Sequence, residues 1–166
     1  MYKVGDKVIH QQEGACYIRE IVDVETDHIL KHYYRLEPVF DKKTKIFISI
    51  NAKNQNRIRP AIKLSALRES AENPPQEPWI NNPKERYRMY SKSINTFEFE
   101  DVLQIYNNLS RQNIKKPLGS QDSQLLLIAE KLICSEIAII FDQPYEFVLD
   151  KLRESALNEE TLLQYK

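Results

Sequence analysis

The chain has 166 residues, 42% hydrophobic and 29% charged, with a formal net charge of zero. That length can bury one good core or two small ones, and with only three glycines it is not a fibrous or low-complexity chain. Balanced charge excludes wholesale polyanion binding, leaving local contacts open.

Met1–Asp6 lacks the apolar core of a signal peptide, and no apolar run is long enough to span a bilayer. The longest, Leu125 to Phe141, is interrupted by Glu130, Lys131 and Glu136. A cytoplasmic protein, with no membrane contact, is the expectation. Lys7–His10 and Cys16–Val24 read as strands around the polar turn Gln11-Gln12-Glu13-Gly14, where Gly14 supplies the positive φ such turns often need. Ile29–Pro38 is a third β-rich run. Asp41-Lys42-Lys43-Thr44 turns into Ile46–Ile50, whose isoleucines alternate on one face. A last strand, Arg57-Ile58-Arg59, ends at Pro60. Five short strands in sixty residues predict a small, strongly bent barrel or half-barrel.

From residue 61 the period becomes helical and stays so. Ala61–Glu72 predicts a short helix, and Asn73–Pro78 a stiff proline-rich connector that extends to Pro83. Pro83 suits the first turn of the helix Pro83–Ile94. At 100° per residue this helix puts Lys84, Arg88 and Lys92 on one stripe and Tyr87, Tyr90 and Ile94 on another. Phe97–Arg111 repeats apolar residues at helical spacing, with Glu98, Glu100 and Asp101 at its start, where the helix dipole accounts for them. Lys115–Gly119 breaks the pattern, and Ser120 reads as the cap of the next helix. Gln121–Phe141 is apolar on most faces and so predicts the central helix of a bundle. Asp142-Gln143-Pro144 opens a further helix carrying Phe147, Val148, Leu149 and Leu152, and a weaker segment, Glu159–Gln164, is left free to fray.

Little in the chain suggests catalysis. No P-loop, dinucleotide fingerprint, H-E-x-x-H or G-x-S-x-G occurs. Cys16 and Cys134 lie far apart outside any C-x-x-C spacing and read as buried, reduced thiols. His28 and His32 share a strand face at this spacing, which describes a surface pair better than a metal site. No cofactor, metal or catalytic set is expected. Charge is graded, however: residues 1–60 hold eleven Lys/Arg against eight Asp/Glu, residues 61–116 nine against seven, and residues 117–166 four against nine. The stripe Lys84/Arg88/Lys92, with Arg86 beside it and Arg111, Lys115 and Lys116 nearby in sequence, could meet a nucleic-acid backbone. On sequence alone a solvated helix face is the favoured account. Trp79, the one tryptophan, is either an apolar wedge beside cations, as minor-groove binders use, or a staple packing on the following helix.

Lys3-Val4-Gly5-Asp6-Lys7-Val8-Ile9, Glu13-Gly14-Ala15 and Ile18-x-x-Ile21 resemble the start of bacterial CarD/CdnL-type transcription regulators, a module shared with the transcription–repair coupling factor. Ile46–Ile50 through Ile58–Ile62 is similar to that module's closing strands. Arg86-Tyr87-Arg88, Leu103–Leu109 and Ala129–Ala138 resemble the family's helical domain. The resemblance covers nearly the whole chain and implies an α+β protein. A Tudor-like five-stranded β barrel or half-barrel, residues 1–60, would dock on the RNA polymerase β subunit. An all-α helical bundle domain, residues 61–166 with its connector at 73–83, would touch promoter DNA in the minor groove without sequence readout and modulate open-complex stability. The implied DNA-binding residues are Trp79, Lys84, Arg86, Arg88 and Lys92; Arg35, Lys45 and Phe47, at the sheet edge, are the expected polymerase-binding residues, Phe47 being apolar where the family's position is typically basic. Pro78-Trp79 lies eight residues before Tyr87, four more than the family's spacing, and Gln11-Gln12 stands where the family often has Tyr-Pro. Two other readings compete: a protein–protein adaptor with two binding modules, and an enzyme with a novel polar pocket. Nothing in the pattern demands more than a monomer.

Overall fold

The computed structural model describes residues 1–51 and 57–165. Gly14, at φ +70°, turns β1 (Lys7–His10) into β2 (Gly14–Thr26), which is longer at both ends than the expected Cys16–Val24. The buried His10 ring holds the same turn, its Nδ1 accepting the Gln12 and Glu13 N–H groups at 3.3 and 3.1 Å. Asp27 and His28, both at positive φ, then form a two-residue hairpin loop of the kind that matches strand twist. β3 (Ile29–Pro38), β4 (Ile46–Ser49) and β5 (Ile58–Pro60) complete an antiparallel sheet in the order β4-β3-β2-β1-β5. A register shift between Ile18 and Glu20 bends β2, as a bulge does. The sheet stays open, a half-barrel rather than a closed barrel.

Period-2 alternation gives the sheet two buried faces near β1. Val8, Cys16, Ile18, Tyr34, Leu36, Ile48 and Ile58 form one core, capped by Tyr2, whose N–H donates to Tyr34 Oη at 3.0 Å. Ile9 and Ala15 point the other way, onto Phe97 and Ile139 of the helical half.

Among the described residues six helices follow: α1 (Leu64–Glu72), α2 (Pro83–Thr96), α3 (Phe99–Lys115), α4 (Ser120–Phe141), α5 (Tyr145–Glu154) and α6 (Glu159–Leu163). The architecture is α+β, as expected. α2 starts at Pro83 because Asn82 Oδ1 accepts the Lys84 and Glu85 N–H groups at 3.0 and 3.3 Å. Ser120 does not cap α4: Gly119 occupies that position, without a side-chain bond, and Ser120 is the first helical residue. α4 is central, with α3, α5, α2 and β2 all packed on it. The tail does not fray either. Leu162 and Tyr165 are buried, Tyr165 tilts against Phe141, and its carbonyl accepts from Gln143 Nε2 at 3.0 Å.

The sheet and α4 meet along a polar seam. The buried Ser135 Oγ accepts the Ala15 N–H at 2.9 Å and donates to Leu132 O at 3.1 Å. The Arg59 guanidinium forks onto the Glu136 carboxylate, each bond 2.7 Å, and Glu136 also accepts the Ile62 N–H at 2.8 Å. Lys131–Glu13 and Lys7–Asp142 flank it at 3.1 and 2.9 Å.

Gly14 lets the seam close. A Cβ there would lie 2.3 Å from Ser135 Oγ, at a φ that L side chains resist. Gly14→Ala should therefore cost about 2–4 kcal/mol, combining overpacking with left-handed strain. Urea unfolding measures it. A loss below about 0.5 kcal/mol would mean that the two halves are not apposed at this point.

Candidate functional site

β4 is an edge strand. Its pairing places Phe47 directly opposite Arg35, and Ile46 and Ile48 opposite Leu36 and Tyr34. The isoleucines turn inward onto the sheet core, while Phe47 stands 54% exposed on the outer face. Because the Ile50 N–H donates to His32 O, antiparallel alternation turns the backbone groups of Ile48 and Ile46 toward β3 and those of Phe47 and Ser49 toward the open edge. Arg35 is half-buried, with Nε donating to Glu20 Oε2 at 2.8 Å. Lys45 is exposed just before the strand. The structure thus brings Arg35 and Phe47 side by side, with Lys45 next along the chain.

The residues expected to face DNA divide into two groups. Lys84, Arg88 and Lys92 lie exposed along α2, and among the described residues none has a carboxylate within ion-pair distance. Tyr87 and Met89, 41% and 42% exposed, flank them. Arg86 points the opposite way, into the protein. Its Nε and Nη2 donate to the Asp122 carboxylate at 3.0 and 2.5 Å, and Nη1 donates to Ile80 O at 2.6 Å. With its side chain 7% exposed, this guanidinium has no free face for a phosphate; it fastens α2 to α4. Trp79 is half-buried against the helical core, with Arg86 stacked 4.2 Å from its ring and Tyr90 edge-on at 6.5 Å. Here the ring is a staple closed by a cation–π contact.

Asp122 escaped notice as the partner of Arg86. A signal was available: it sits on the same α4 face as Leu125 and Ala129, all buried, and a charge on a core face needs a counter-charge. Glu136, on the same helix, holds Arg59 by the same logic.

Burial pushes the Cys16 thiol up to about 12 and the Cys134 thiol higher still, so neither is a ready nucleophile at neutral pH. His28 lies in the hairpin turn while His32 lies on β3, 2.6 Å from Asp23, so the expected pair on one strand face does not form. Among the described residues no group of three or more His, Cys, Asp or Glu side chains could hold a metal ion, and no helix is long and apolar enough to cross a membrane.

Residues 2–62 match the CarD-like/TRCF RID domain, covering the sheet, and residues 64–153 match the CarD C-terminal domain, covering α1 to α5. The chain is also similar to YdeB of Bacillus subtilis (strain 168), named as a candidate transcription factor, with 24% identity over 146 residues that span 84% of this chain and 92% of that protein. Both family matches fall in order on the two structural halves, and the chain belongs to the CarD family, with a role in transcription.

Proposed function

We propose that the protein binds the β subunit of bacterial RNA polymerase through residues 1–60 and contacts promoter DNA through residues 61–166, altering the lifetime of the open complex without a catalytic step or cofactor. One observation carries the reading: among the described residues β4 is an open edge, with an exposed Phe47 beside Arg35. An unpaired strand edge with an aromatic anchor can add a strand from a partner, backbone bonds giving affinity and the side chain register. On the DNA side, the exposure of Lys84, Arg88 and Lys92 along α2 supports contacts to phosphates, to backbone rather than sequence. Such a partner puts the protein in the bacterial cytoplasm.

Full-length protein titrated onto purified polymerase, then onto a polymerase–promoter complex, tests both arms. Phe47→Glu should weaken polymerase binding at least about tenfold, as loss of a central aromatic anchor does. Replacing Lys84, Arg88 and Lys92 together by Gln should leave polymerase affinity intact. In the promoter complex it should flatten the dependence of log affinity on log salt by about 3, close to one per lost phosphate contact. Unchanged polymerase binding by Phe47→Glu sinks the edge as the contact.

A second reading keeps the sheet as a protein-binding module and makes the helical half another. The inward packing of Arg86 and Trp79 favours it, since it withdraws both from a DNA-facing surface. That reading predicts an unaltered salt slope in the triple variant.

A further inference from the structure

A cleft of about 730 Å³ opens between α3, α4, the end of α5 and the connector at Pro74 and Pro75. That volume lies within the range of pockets that enclose a small organic molecule, and a site between bundle helices is a common place for one. Its apolar wall includes Ile114, Leu118, Leu126 and Leu127. Ile114 and Leu127, at 86% and 60%, are the most exposed large hydrophobic residues of the described helical half. Both sit on this one cleft, so apolar surface concentrates where a ligand could cover it.

The charges around the cleft specify the other end of that ligand. Four charged residues line it: Arg111, Glu130, Arg153 and Glu154. Glu130 is held by Arg153 through bonds of 3.0 and 2.7 Å, and Glu154 by Lys151 at 3.2 Å. Arg111 has no carboxylate partner among the described residues. Its Nε donates to Asn107 O at 3.2 Å and Nη2 to Asn108 Oδ1 at 3.0 Å, which fixes the guanidinium and leaves Nη1 for an acceptor. One uncompensated cation beside an apolar wall matches a monoanion with an apolar body. A phosphate dianion would leave one negative charge unmatched near Glu130.

We propose that this cleft binds a small amphipathic carboxylate, its acid group on Arg111 and its hydrocarbon chain along Ile114, Leu126 and Leu127. The site is independent of the polymerase and DNA reading, and its test needs neither partner.

Dodecanoate and dodecanol, below their aggregation limits, are titrated calorimetrically into the full-length protein. Saturable dodecanoate binding is expected. Arg111→Gln should weaken it roughly tenfold, the loss of a charge-assisted hydrogen bond, while moving dodecanol by less than about twofold. Leu127→Glu should abolish binding of both with Tm unchanged, because the side chain is exposed and the fold does not need it. Lys115→Gln, the neighbouring exposed cation, should leave dodecanoate affinity unaltered. Absence of saturable dodecanoate binding by the wild-type protein overturns the site. Equal losses for the acid and the alcohol in Arg111→Gln overturn the carboxylate assignment. Concentration-dependent dimerisation in sedimentation, lost in Leu127→Glu, would assign the apolar wall to a second copy of the chain and overturn the ligand.

Discussion

Glu136→Ala is expected to lower the unfolding free energy by about 3–5 kcal/mol, the cost of removing one partner from a buried pair. Glu136 is 2% exposed in its side chain and Arg59 12%, so the abandoned guanidinium stays in the buried seam, with its bonds to Phe97 O and Pro60 O and only a long 3.9 Å contact to the exposed Glu98 carboxylate. The Ile62 N–H, which Glu136 accepts, is orphaned as well. Replacing both partners with apolar residues, Arg59→Met with Glu136→Leu, should recover most of the loss, because neither charge then needs solvation. Urea denaturation of the single and double variants measures this, and the midpoint should move while the slope holds. A single-variant loss under about 1 kcal/mol would mean that water reaches the seam and the pair behaves as a surface ion pair. The functional consequence concerns orientation. The pair, with Ser135 on Ala15, sets how the open β4 edge stands relative to α2, so any partner engaging both halves meets a preset geometry.

Arg86→Ala should also cost about 3–5 kcal/mol, which separates Arg86 from its neighbours on α2. Loss of the guanidinium leaves Asp122 buried without a counter-charge, frees the Ile80 carbonyl and removes the cation stacked on Trp79. Arg86→Lys should rescue little, since an ammonium cannot span both carboxylate oxygens and a ring face with one planar group. By contrast, Arg88→Gln should change stability by no more than about 0.5 kcal/mol, as an exposed substitution does. It should instead reduce the salt dependence of DNA binding by about one unit of slope. Thermal unfolding and salt-dependent binding on the same variants give the two readouts. Near-wild-type stability in Arg86→Ala would reverse the assignment and return Arg86 to the exposed basic stripe.

Local rules carried the element order. Alternation in Ile46–Ile50, the glycine at position 14, the Asn82-Pro83 start of α2 and the all-round apolarity of α4 each depend on neighbours within a few residues, so they are readable in one dimension. Boundaries slipped by a few residues even where the contacts are local. β2 extends to Thr26 because Ile29 pairs with it across a positive-φ turn, and α3 runs on to Lys115 before the break at Lys116.

The candidate site was only half legible, because some of its deciding contacts lie far apart in sequence. Helical periodicity correctly grouped Lys84, Arg88 and Lys92, because residues a turn apart share a face whatever the fold. The orientation of Arg86 depended on Asp122, thirty-six residues away, and the exposure of Phe47 on which face of the sheet the rest of the protein leaves uncovered. Whether a cation meets solvent or a buried carboxylate is a property of which helices are packed together. That packing is settled by long-range burial, and no local spacing encodes it.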